Sequence, residues 1–172
     1  MDLREKIEAA FSQVPYPGDD AIALHECSEC REIRRDFRGQ SPWTLNATVL
    51  ERRYDSLPLL GPHAYQYFLP AYMIYSISHP DSLLAKFTRY SLAPSDFDDH
   101  DRQRFELFTT LQKLSIIALL EFIKTHTATW DDGEKQKLYD NLNAGIEIWK
   151  STLKAQQAGP AYPPQSVGSA DP

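Results

Sequence analysis

The chain is poor in the residues that build most recognisable chemical sites. Only two cysteines occur in 172 residues, Cys27 and Cys30, and a disulfide between them would close too small a loop to staple a domain. A reducing cytoplasm is the compartment this usage predicts. Glycine is scarce at seven residues, which counts against phosphate-cradling loops, and neither a Walker loop nor a dinucleotide fingerprint is present. No Gly-x-Ser-x-Gly elbow and no His-Glu-x-x-His pair occurs either. Basic charge is short: the formal net charge is -6 and the pI is near 5.3, so nucleic acid and anionic membrane are not expected as partners. An acidic surface suits a basic protein partner instead.

Long hydrophobic runs are missing as well. The longest, Leu114 to Ile123, is broken by Ser115 and Glu121 and falls short of the roughly 20 residues of a membrane span. The first residues, Met1-Asp2-Leu3-Arg4-Glu5-Lys6, lack the apolar stretch of a secretory signal, so a soluble, non-exported protein is expected.

What is present is helical periodicity. Leu3, Ile7, Phe11 and Val14 mark one amphipathic face, ended by Pro15-Tyr16-Pro17-Gly18. A second stripe, Leu24, Cys27, Cys30, Ile33 and Phe37, runs from a cap at Asp20 to Gly39. Ser41-Pro42 reads as a third helix start. A fourth opens at Pro62 and carries Tyr65, Phe68, Tyr72 and Met73, with a kink or break expected near Pro70. Asp81 reads as a cap, Asp96-Phe97-Asp98-Asp99 as an acidic loop, and Thr109-Thr110-Leu111-Gln112 as a capping box. The helix behind that box is apolar on most faces and is expected at the centre of the core. Asp131 or Asp132 should cap a last helix with the stripe Leu138, Leu142, Ile146, Trp149 and Leu153. No alternating strand run stands out. The expected fold is all-α: one compact multi-helix domain over residues 1–154, then a disordered Pro-rich tail over 155–172.

Several blocks in order, Tyr16-Pro17-Gly18-Asp19-Asp20, Glu29-Cys30-Arg31-Glu32-Ile33 with Phe37-Arg38-Gly39 and Trp43, Tyr67-Phe68-Leu69-Pro70-Ala71-Tyr72, and Arg104-Phe105 with Phe108-Thr109 and Gln112, resemble a family of small bacterial proteins of unknown function. The resemblance spans about residues 10 to 124 and leaves the last helix and tail as local additions. It implies no activity and no site residues. Members occur where small immunity or accessory proteins are common.

Two clusters carry what chemistry the sequence offers. Cys27 and Cys30, with His25 as a third ligand if it precedes the first helical turn, could hold zinc. A structural site needs a second ligand pair that the chain lacks, so both thiols are expected as small core residues on the apolar face. Thioredoxin-like redox chemistry needs the pair at a helix start after a strand, and Glu26, Glu29 and Glu32 would oppose thiolate formation. The acidic residues Asp96 to Asp101 lack the glycine and glutamate of a calcium loop. Arg31, Arg34, Arg35 and Arg38 read as a solvated face neutralised by Glu29, Glu32 and Asp36.

The second cluster is aromatic. Tyr65, Tyr67, Tyr72 and Tyr75 exceed what one helix face buries, and tyrosine is favoured at recognition surfaces. The expected function is therefore a non-catalytic protein-binding module, of the immunity-inhibitor or accessory type, without a cofactor. The alternative is a small zinc-binding or thiol-dependent protein using His25, Cys27 and Cys30. Oligomeric state is left open.

Overall fold

The computed structural model describes residues 1–128 and 131–158. Eight α-helices and no strands occur among them. They are α1 (Leu3–Phe11), α2 (Ser28–Phe37), α3 (Ala47–Arg52), α4 (Pro62–Ser78), α5 (Leu83–Leu92), α6 (Asp99–Glu106), α7 (Thr110–His126) and α8 (Asp132–Ala158). Two short 3-10 turns, Asp19–Ala21 and Leu57–Leu59, interrupt the connections. The tail expected over 155–172 starts later than that: residues 155–158 continue α8, and the rest, 159–172, lies outside the described residues. Among those described, no helix is long and apolar enough to cross a membrane.

Local chemistry explains most helix ends. Asp2 caps α1 and Glu5 reaches back to the Asp2 N–H, a reciprocal capping box. Thr109 and Gln112 form the same device at α7. Ser82, not Asp81, caps α5 by accepting the N–H of Ala85, while Asp81 accepts from Ala128 at 2.8 Å. The acidic stretch expected as a loop is in fact a helix start: Asp98 accepts from the N–H of Asp101 and opens α6, where carboxylates favour the N-terminal dipole. Asp131 accepts from the N–H of Glu134 and so caps α8. Ser41-Pro42 does not open a helix, because Asn46 takes the capping role and α3 begins at Ala47.

The centre of the core is α4, not α7. It packs against α1, α3, α5, α6 and α7, and nine of its residues are buried, including Tyr65, Phe68, Leu69, Tyr72 and Met73. α7 instead keeps Leu111 and Leu114 exposed. α4 also runs through Pro70 as one helix. Pro70 removes a donor at a cost of about 3 kcal/mol, but the buried side chains on both sides, each contributing about 1.5–3 kcal/mol, hold the two halves in register. Around α4, Trp149 stacks on Phe105 at 3.9 Å and meets Phe108 edge-on at 5.4 Å, closing α8 over α6.

The residues behind the family resemblance meet one another. Tyr16 hydrogen-bonds Asp19 and receives the N–H of Gly39 at 2.9 Å, while Arg38 pairs with Asp19 at 2.6 Å. Gly39, at φ 64°, supplies the left-handed turn that ends α2. Arg53 binds Asp36 at 2.7 Å and Glu32 at 3.0 Å, and its carbonyl accepts from the Tyr72 hydroxyl at 2.7 Å. Gln112 accepts from Gln66 and donates to the Ala10 carbonyl. These blocks are tie points of the fold.

Candidate functional site

The N-terminus of α2 is where the structure departs most from the periodicity. The stripe expected from Leu24 to Phe37 is helical only from Ser28, and Leu24 is exposed. The reason lies in the arginines once read as a solvated face. Arg34 donates to the carbonyls of Ala23 at 2.6 Å and His25 at 3.0 Å and pairs with Glu26 at 2.9 Å, and Arg31 donates to the Glu26 carbonyl at 3.1 Å. Carbonyls engaged in this way hold residues 23–26 in a non-helical approach to the helix.

Cys27 is therefore the N-cap. Its backbone is extended, and its Sγ accepts the N–H of Cys30 at 3.3 Å. The expectation that both thiols lie in the core is corrected: Cys30 is buried beside Ile33 and Phe37, whereas Cys27 is exposed. Both are free thiols. The expected opposition from the acidic neighbours holds for the Glu29 charge but is outweighed at Cys27. The Cys30 thiol, then the N–H groups of Cys30 and Glu29, hold the Cys27 thiol below its ordinary pKa against the opposing effects of desolvation and the Glu29 charge. The same bond to Cys27, followed by desolvation, pushes the Cys30 thiol up. An exposed, acidified first thiol and a buried, protonated second one stand three residues apart at a helix start.

His25 is exposed. Among the described residues, no group of three or more His, Cys, Asp and Glu side chains is gathered as metal ligands, so His25 does not converge with the two thiols.

The four tyrosines separate by depth. Tyr65 and Tyr72 are fully buried; Tyr65 bonds Ser91 and Tyr72 bonds the Arg53 carbonyl, which removes both from any recognition surface. Tyr67 and Tyr75 are half-buried. Tyr67 packs edge-on against Tyr16 and Phe68. Tyr75 hydrogen-bonds Glu51, stacks on His79 at 4.4 Å, and lines a groove of about 220 Å³ with Trp43, Leu45 and Ile74. Trp43, which follows the Ser41-Pro42 pair expected to open a helix, is exposed and lines this groove. Its exposure follows from the start of α3 at Asn46, whose side chain accepts the N–H of Thr48 and leaves Trp43 ahead of the helix.

Residues 1–152 match a family of unknown function, DUF6714, and the chain belongs to it. The match reaches well into α8, so the last helix is part of the family's domain and not a local addition. No curated protein and no solved structure matches the chain.

Proposed function

We propose that the protein is a thiol–disulfide exchange protein in which Cys27 is the attacking thiol and Cys30 the resolving one. The observation that carries this reading is the Cys27 Sγ acting as the N-cap of α2, exposed, with Cys30 behind it. A helix N-terminus favours a thiolate, and the thiolate is the nucleophile. Positions i and i+3 of a helix lie about 5 Å apart at Cα, inside the range a disulfide spans.

The oxidant or reductant is a protein or small-molecule disulfide–dithiol couple. The Cys27 thiolate attacks one sulfur of the incoming disulfide, whose S–S bond breaks, and the other sulfur leaves as a thiolate and takes a proton from water. Cys30 loses its proton to solvent and attacks Cys27 Sγ, releasing the second sulfur as a thiolate. Two electrons pass from Cys27 and Cys30 to the partner, which ends as a dithiol. Glu26 and Glu29 beside the thiol, on a chain of net charge -6, suit a basic partner.

In a buffer of oxidised glutathione the full chain should lose two hydrogens by intact mass. Cys30→Ser should trap a mixed glutathione disulfide on Cys27, and Cys27→Ser should trap none. Two thiols that stay reduced, or trapping on Cys30 instead, would sink the reading. One equivalent of zinc retained by both thiols after dialysis would replace it with the metal-binding alternative.

A second reading, binding of a basic protein without chemistry, is favoured by the groove at Trp43 and Tyr75, whose volume suits one large apolar side chain. Loss of partner capture in Trp43→Ala, with capture intact in Cys27→Ser, would select it.

A further inference from the structure

On the side of the fold formed by α5, the end of α7 and the start of α8 lies a cleft of about 720 Å³, within the size range of small-molecule sites. Its floor includes Ala85, Ile123 and Leu138, and its walls carry Lys86, Arg89 and Lys137. Two carboxylates, Asp81 and Glu134, also face it, and Asp81 is engaged with the Ala128 N–H.

Arg89 is unlike the other arginines. Each of the other nine has a carboxylate or carbonyl acceptor. Arg89, alone among the described arginines, has none: its guanidinium lies 4.8 Å from the Tyr90 ring and its buried Nε has no acceptor. Two further buried atoms of the same cleft, Thr127 Oγ1 and Asn141 Oδ1, also have no partner. Asn141 is held in place by its other end, which donates to the Ala93 carbonyl at 3.1 Å. Folded chains leave few buried polar atoms unpaired, and three of them belong to residues lining this one cleft.

We infer that this cleft binds a small organic oxyanion, a phosphate ester or carboxylate. The oxyanion sits against Arg89, Lys86 and Lys137, since guanidinium and ammonium groups are the usual partners of such charge. The site is separate from the α2 dithiol and does not depend on the exchange reading.

Calorimetric titration of the full chain with ribose 5-phosphate, citrate and inorganic phosphate tests it. At least one of the first two should bind, and which one does distinguishes phosphate from carboxylate. Arg89→Gln should weaken that binding about tenfold or more, and Lys137→Gln, on an exposed position of α8, should weaken it several-fold. Lys150→Gln, outside the cleft, should leave it unchanged. Absence of binding tighter than about 10 mM for every probe, or equal affinity in wild type, Arg89→Gln and Lys137→Gln, would overturn the inference.

Discussion

Gly145 of α8 lies so close to Ala93, just past the end of α5, that a Cβ placed on it would stand 2.3 Å from the Ala93 Cβ and 2.9 Å from its Cα. The contact belongs to a seam. At positions i, i+4 and i+8 of α8, Asn141 donates to the Ala93 carbonyl at 3.1 Å, Gly145 admits the close approach, and the Trp149 indole donates to the Leu92 carbonyl at 2.8 Å. Carbonyls at a helix C-terminus lack intrahelical donors, and α8 supplies them.

Gly145→Ala should therefore destabilise the protein. In an open helix the change would gain about 1 kcal/mol of propensity; here overpacking should cost about 1–3 kcal/mol, because the obstructing atoms are a Cβ and a backbone Cα. Denaturant melts of Gly145→Ala, Ala93→Gly and the double variant should show partial rescue in the double. A stabilised Gly145→Ala would place α8 further from α5.

Trp149 is the largest fully buried side chain among the described residues. Trp149→Ala should cost about 3–5 kcal/mol, and Trp149→Phe about 1–3 kcal/mol by orphaning the Leu92 carbonyl. Lys150→Ala, on the exposed side of the same turn, should cost under about 0.5 kcal/mol. Chemical denaturation of the three variants checks the ordering.

Titration of Asp36 should weaken the fold in acid. Burial raises its carboxyl, but Arg53, then Arg52 and Arg35, overcome this and leave its pKa lowered. A carboxyl with a depressed folded pKa contributes stability above the unfolded value, about pH 4, and that contribution is lost as pH falls through the folded value. Asp36→Asn should cost about 2–3 kcal/mol at neutral pH, since Arg53 keeps Glu32 as a partner. Its stability should also fall less steeply than that of the wild type below about pH 4.

Tyr65 and Tyr72 should weaken the fold in alkali. Burial pushes the Tyr65 phenol up to about 12, against the opposing effects of Ser91 and Arg104, and burial raises Tyr72 in the same direction. A raised folded pKa means stability that is intact below about pH 10 and lost as pH rises towards the folded value. For Tyr65 the loss should reach about 2–3 kcal/mol by pH 12. Tyr65→Phe should flatten the alkaline limb of a pH–stability curve; an unchanged slope would mean that the phenol is hydrated.

The stability of the two cysteine variants should differ. Cys30→Ala should cost about 1–2 kcal/mol through a small cavity, whereas Cys27→Ser keeps an N-cap oxygen and should change stability by less than about 0.5 kcal/mol. Equal costs in thermal melts would return Cys27 to the core.

Periodicity and capping chemistry alone determined the all-helical class, the α7 capping box, the Gly39 stop of α2 and the buried stripe of α8 from Leu138 to Trp149, because those signals act within a turn or two of chain. Tertiary contacts decided the rest. Cys27 left the stripe because Arg34 and Arg31 reach back to carbonyls of the approach segment, a preference no hydrophobic pattern records. Tyr65 and Tyr72 went inward while Tyr67 and Tyr75 stayed half-exposed, because α4 is enclosed by five other helices whose packing sets how deep each face lies. Arg89 is no different in sequence from an arginine on a wet surface. It is set apart only because α5, α7 and α8 close around it without bringing an acceptor within reach, whereas Arg38 and Arg53 meet carboxylates from elements distant in the chain.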